Sequence, residues 1–130
     1  MDWSLFDIVG LDYYSYHANR AGHTKELAPF RRWGKPIMIL EFGCCTFTGA
    51  ADHLATMLDV FTAEGFLGAS PYTFISPDAP HRPHDHPHDE DIAAFSLCKV
   101  IRKNSDDPAS PYDWQPKESF RAVSRFCLVH

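Results

Sequence analysis

The stretch PIMILEFG, residues 36–43, decides the fold class. Its first five residues are apolar without alternation, a pattern typical of a parallel-sheet strand that is covered on both faces. Two further apolar runs, Phe6–Tyr14 and Phe66–Ile75, predict a strand before it and a strand after it. The central run therefore predicts the middle of a buried parallel sheet.

Helical patterns separate the three predicted strands. Residues 24–33 form a short one, with Thr24 as a candidate N-cap and Gly34 placed to end it. Residues 50–64 form a longer one, in which apolar side chains recur at helical spacing and Gly65 suits the position after the helix. Alternating strands and helices predict an α/β fold with a parallel sheet.

The second half of the chain is organised differently. Residues 76–91 form a loop rich in proline, histidine and aspartate, and residues 104–115 form a second polar loop. Residues 92–103 are compatible with either a helix or an extended segment. Pro116 is placed to open a last helix, because proline is favoured in the first helical turn.

Length and charge restrict the function classes. The chain has 130 residues and a net charge of −5, which fits one domain over 1–130 and no nucleic-acid partner. The four cysteines have neither zinc-ribbon nor Cys-x-x-Cys spacing. The N-terminal sequence is unlike a signal peptide, and no apolar run approaches the ~20 residues of a membrane span. We therefore expect a cytoplasmic chain without a membrane partner.

Polar and aromatic side chains follow each predicted strand. Active residues of parallel α/β folds sit where the strands end, so these positions are candidates for a site. Glu41 is the sharpest signal, because a carboxylate after four apolar residues needs either a basic partner or a function. Candidates to orient Glu41 or to contact a substrate are Asp12, Tyr14, His17 and Tyr72. The simplest expectation for His53, on the predicted helix, is that it faces solvent.

Three segments resemble a known family. Residues 41–52 read EFGCCTFTGAAD, residues 74–78 read FISPD, and residues 114–122 read WQPKESFRA. Together they resemble a bacterial group of glycoside-hydrolase-like (β/α)₈ barrels labelled abortive infection proteins, and the resemblance covers nearly the whole chain. It implies that the three strands are barrel strands six to eight, followed by a C-terminal helix.

The resemblance also implies a role for Glu41. In retaining hydrolases of this architecture, a glutamate ending the seventh strand is the nucleophile, and an aromatic residue of the sixth strand hydrogen-bonds it. Tyr14 would then orient Glu41, and Tyr72 would form a wall of the substrate site. The acid/base carboxyl group would follow the fourth strand, outside this chain. The expected function is thus a fragment of a retaining glycosidase that is incomplete as a catalyst alone and needs no cofactor.

Two alternatives remain open at this stage. A three-strand piece of a barrel has open strand edges, so the chain could be a non-catalytic binding or assembly module that self-associates through them. The loop at 76–91 could instead bind metal, since imidazole and carboxylate groups suit zinc or nickel. The metal candidates in that loop are His84, His86 and His88.

Overall fold

A parallel three-stranded sheet carries the first half of the chain. A computed structural model describes residues 5–17, 19–44, 49–74, 95–104, 107 and 109–129. The strands β1 (Val9–Tyr13), β2 (Ile37–Phe42) and β3 (Ala69–Pro71) lie side by side in the order β1-β2-β3. Both pairings are parallel, which confirms the predicted α/β class and the central place of the PIMILEFG stretch.

The connections between these strands are helical. The helix α1 (Arg20–Leu27) continues into a 3₁₀ helix over Ala28–Trp33, which ends at Gly34 as predicted. Gly34 adopts a left-handed conformation. The predicted N-cap was wrong. Asn19 caps α1, because its Oδ1 accepts a 2.9 Å hydrogen bond from the amide of Gly22, and Thr24 lies inside the helix.

The second helix, α2 (Ala50–Ala63), matches its prediction closely. Gly65 follows it with a φ of 71°, which a glycine adopts without strain. The buried face of α2 packs on one side of the sheet, where it forms a core with residues of β1 and β2: Val9, Tyr13, Ile37, Ile39, Phe42, Leu54, Met57, Leu58, Val60 and Phe61.

The second half of the chain departs from the loop predicted at 104–115, whereas the loop predicted at 76–91 lies outside the described residues. The strands β4 (Cys98–Arg102) and β5 (Tyr112–Pro116) form a separate antiparallel pair. Residues 112–115 are therefore strand rather than loop, and Pro116 ends β5 opposite Cys98 instead of opening a helix. The last helix, α3 (Glu118–Val129), starts two residues later and packs against α2.

Across the described ranges, no helix combines the length and the apolar character required to cross a bilayer.

Candidate functional site

A one-residue bulge in β2 determines where Glu41 points. Leu11 pairs with Ile39, but the next residue of β1, Asp12, pairs with Glu41, so Leu40 is extra. The same surplus appears against β3, where Ile39 pairs with Ala69 and Phe42 with Pro71. Side chains alternate along a strand, so an extra residue reverses the faces that follow it.

The reversal places Glu41 on the face of the sheet opposite the helices. Ile37 and Ile39 point into the helix-covered core, and regular alternation would send Glu41 the same way. After the bulge, Phe42 takes the core position instead, fully buried, while Glu41 is only partly buried. Glu41 thereby shares its face with Asp12, its partner in β1.

Tyr14 contacts Glu41 as predicted. Tyr13 points into the core at the end of β1, so the next residue, Tyr14, points to the opposite face. Its hydroxyl group donates a 3.0 Å hydrogen bond to Oε2 of Glu41. Burial, followed by the hydrogen bond to the Glu41 carboxylate, raises the pKa of Tyr14 above its ordinary value of 10.0. The phenol therefore stays protonated, as a donor must be.

Tyr72 lies beside this pair. Its amide donates a 2.7 Å hydrogen bond to the carbonyl of Phe42, which fixes the chain after β3 next to the end of β2. The peptide bond between Tyr72 and Thr73 is cis. The rings of Tyr14 and Tyr72 meet edge to face, with centroids 6.5 Å apart. Both rings remain partly exposed, so they border an accessible carboxylate.

Phe95 completes the aromatic surroundings and was not identified from the sequence. Its ring meets that of Tyr14 edge to face at 5.5 Å and lies 6.5 Å from that of Tyr72. The segment that carries it is fastened to the chain after β3, because the amide of Leu97 donates to the carbonyl of Thr73. No sequence signal placed Phe95 here, since residues 92–103 were compatible with two conformations.

The remaining predicted site residues have different surroundings. Asp12 is exposed, on the same face as Glu41. His17 packs on α1, where its ring atoms approach Gly22 and its centroid lies 6.5 Å from that of His23. The structure therefore brings together Glu41, Tyr14 and Tyr72, and it places His17 with the buried histidines instead.

Those histidines form a cluster between the helices and β1. His23 is fully buried on α1, and its ring lies 5.3 Å from that of His53 on α2. The expectation that His53 faces solvent was wrong: His53 is 8% exposed, and its Nε2 lies 3.1 Å from the carbonyl oxygen of Ser15. A carbonyl only accepts, so His53 donates this hydrogen bond.

Charge and hydrogen bonding fix the state of His23. Burial disfavours ionisation of Glu26, but hydrogen bonds from Ser15 and Tyr13 and the nearby His17 and His23 outweigh it and lower its pKa. The ionised carboxylate accepts from the Tyr13 hydroxyl at 2.8 Å, so Nδ1 of His23, at 2.9 Å, must donate to that hydroxyl oxygen. Neutral His23 then carries a bare Nε2, the one buried side-chain nitrogen or oxygen without a hydrogen-bond partner among the described residues.

The predicted metal candidates His84, His86 and His88 lie outside the described residues. Within the part of the chain that the structure describes, no three histidine, cysteine, aspartate or glutamate side chains are arranged to hold a metal ion.

Gly43 lets the chain after β3 and the ring of Phe95 pack closely against the end of β2, which gives a first prediction. A Cβ at this position would lie 2.6 Å from the carbonyl oxygen of Tyr72 and 3.0 Å from the ring of Phe95. We expect Gly43→Ala to lower the free energy of unfolding by about 1–3 kcal/mol, the usual cost of overpacking. Gly68→Ala is the matched control, because a Cβ there meets nothing within 4 Å. Equal urea midpoints for the two variants would contradict this reading.

The buried state of His23 predicts a loss of stability in mild acid. Burial and the neighbouring His53 lower the pKa of His23 below 6.5, with His17 acting in the same direction and Glu26 against it. Below pH 6.5, His23 therefore binds a proton more readily in the unfolded chain than in the folded chain. The contribution of His23 to the free energy of unfolding is complete above pH 6.5 and decreases as the pH falls below that value. His23→Asn keeps a donor for Tyr13 without titrating. Urea unfolding at pH 7.5 and 5.5 should show a smaller difference in that variant than in the wild type.

No family model matches the chain, and neither a curated protein nor a solved structure matches it at a significant level.

Proposed function

We propose that this chain supplies the nucleophile end of a retaining glycoside-hydrolase-like (β/α)₈ barrel that acts on O-glycosidic bonds. Glu41 is the nucleophile, Tyr14 orients it, and Tyr72 borders the bound sugar. The observation that carries the proposal is the 3.0 Å hydrogen bond from the Tyr14 hydroxyl to Glu41. It joins two side chains at the carboxyl ends of neighbouring parallel strands, where α/β enzymes have their active residues.

The geometry suits covalent catalysis. A carboxylate oxygen of Glu41 attacks the anomeric carbon, the bond to the leaving oxygen breaks, and a glycosyl ester forms that water later hydrolyses. A hydrogen bond on Oε2 holds the carboxylate in one orientation without removing its negative charge. The partly exposed rings of Tyr14 and Tyr72 offer apolar surface to a sugar.

The barrel assignment rests on the two faces of the sheet. The helices cover one face, while Ile8 and Leu40 are 48% and 49% exposed. A Cβ on Gly10 would lie 2.6 Å from Leu40, so Leu40 covers the face that Gly10 shares with Glu41. In a closed barrel such a face points inward. The second carboxyl group, needed about 5–5.5 Å from the nucleophile, would come from other strands of that barrel.

Covalent trapping tests this function without the missing acid. An activated 2-deoxy-2-fluoroglycosyl fluoride carries a leaving group that needs no protonation, so the nucleophile alone decides whether the ester forms. We expect one member of a panel of such sugars to add one glycosyl unit to the intact chain by mass spectrometry, with the adduct on the peptide containing Glu41. A folded chain that gains no mass with any sugar would remove the proposal.

Exposed apolar surface favours one second candidate, a module that assembles through its open sheet. Leu40 lies half exposed in the middle strand, and β1 and β3 are the edges of the described three-stranded sheet. Leu40→Lys should then lower the apparent mass in light scattering towards that of one chain. A wild-type chain that is monomeric over a hundredfold concentration range would contradict assembly.

A further inference from the structure

The backbone on both sides of Tyr14 is held by polar side chains, of which Tyr13, His23 and His53 are buried. Tyr14 lies one residue past the end of β1, where the pairing of β1 with β2 stops at Tyr13. On one side, the Tyr13 hydroxyl group contacts His23 and Glu26. On the other side, the carbonyl group of Ser15 accepts from His53. These contacts lie on the helix side of the sheet, opposite the Glu41 carboxylate.

The two anchors come from different helices. Tyr13 is held by α1, which carries His23 and Glu26, whereas the carbonyl group of Ser15 is held by α2, which carries His53. The Ser15 side chain also hydrogen-bonds Glu26 of α1. The two helices are joined through the rings of His23 and His53, whose centroids are 5.3 Å apart. Tyr13, His23 and His53 are each less than a tenth exposed, so water competes little for the Tyr13–His23 and His53–Ser15 hydrogen bonds.

We propose that the network of the buried residues Tyr13, His23 and His53, together with the exposed Glu26, positions Tyr14 for its hydrogen bond to Glu41. The inference rests on the proposed function for its catalytic meaning, since Tyr14 orients the nucleophile there. Tyr14 is itself 40% exposed, so its own packing restrains it less than a buried ring would be restrained. Fixing residues 13 and 15 restricts the backbone between them and thereby the direction of the Tyr14 side chain.

The test follows the Tyr14 hydroxyl group directly and uses no substrate. The whole chain is labelled with tyrosine carrying ¹³C at Cζ, and Tyr14→Phe identifies the Tyr14 resonance. Glu41→Gln gives its position when the charged acceptor is gone. We expect His53→Leu to move the resonance by more than half of that difference. His53→Gln, whose amide can still donate to the Ser15 carbonyl, should restore most of the wild-type position.

A second variant addresses the other anchor. Tyr13→Phe removes one oxygen and keeps the ring that packs on Phe61, so it is expected to fold. It should move the Tyr14 resonance in the same direction as His53→Leu. Thr56→Ala is the control on α2, because the Thr56 hydroxyl donates to the carbonyl of Asp52 within the helix. Circular dichroism identifies the variants that fold, and the position of the Tyr14 resonance is compared only among those variants.

An unchanged Tyr14 resonance in the folded variants would overturn the positioning role. That outcome is distinct from a failure of the proposed function. A chain that never reacts with fluorosugars can still show the shift, and a chain that reacts can still lack it.

Discussion

Replacing Phe61 with alanine is expected to lower the free energy of unfolding by about 3–5 kcal/mol. Phe61 is 3% exposed and lies where β1, β2 and α2 meet. Its ring centroid lies 5.7 Å from Tyr13 and 5.3 Å from Phe42, both edge to face, and it stacks on Phe66 at 6.0 Å. It also lines an open pocket of about 340 Å³ bounded by α2, β3 and α3, so the space left by the ring would join that pocket.

The loss is large against the usual stability of a small domain, about 5–15 kcal/mol. Urea unfolding followed by circular dichroism measures it, and the slope of the free energy with urea should stay unchanged if only stability is affected. Leu67→Ala is the control, because Leu67 is 59% exposed. If the two variants have the same free energy of unfolding, the packing around the Phe61 ring does not stabilise the core as expected.

The second large effect concerns Glu41→Gln, which should abolish labelling by the activated fluorosugars. An amide is a far weaker nucleophile than a carboxylate, so the rate of adduct formation should fall by at least about 10³-fold. The folded state should persist, since Glu41 is partly exposed and glutamine can still accept from Tyr14. Time courses of intact mass on both proteins give the two rates.

Tyr14→Phe separates orientation from attack. It keeps the carboxylate and removes one hydrogen bond to a charged group, worth about 1.5–3 kcal/mol. Labelling should therefore slow by roughly 10- to 10²-fold without stopping, at about tenfold per 1.4 kcal/mol. For the Glu41→Gln variant of the preceding prediction, labelling at the wild-type rate would mean that the adduct forms elsewhere and that Glu41 is not the nucleophile.

The elements that the sequence predicted best are those with a strong local signal. The α2 helix begins at Ala50 as predicted, because its apolar residues keep one helical face and Gly65 terminates it. The third strand, β3 (Ala69–Pro71), is shorter than the predicted 66–75, since its regular pairing with β2 ends at Pro71. The β4–β5 pair escaped prediction because antiparallel pairing depends on a partner elsewhere in the chain, which the five-residue segment YDWQP at 112–116 does not reveal by itself.

The contacts among the candidate site residues were predicted in part for a similar reason. Glu41, Tyr14 and Tyr72 follow strands whose apolar runs are visible in the sequence, so their meeting at one edge of the sheet could be expected. The burial of His53 could not be expected, because the sequence of a helix does not show that a distant backbone carbonyl group, here that of Ser15, accepts a hydrogen bond from one of its histidines. Phe95 was missed because its segment is held in place by contacts with residues far away in the sequence, such as the hydrogen bond from Leu97 to Thr73.

The surplus residue at position 40 makes the site sensitive to the register of β2 as well as to side-chain chemistry. Deleting Leu40 would make β2 regular and leave both faces as they are, because Glu41 would then follow Ile39 directly and still point away from the helices. Keeping Leu40 and pairing it regularly with Asp12 would instead turn the carboxylate towards α2 and the phenyl ring of Phe42 towards the opposite face. The location of the acid therefore depends on the register of the strand, which no single side chain determines.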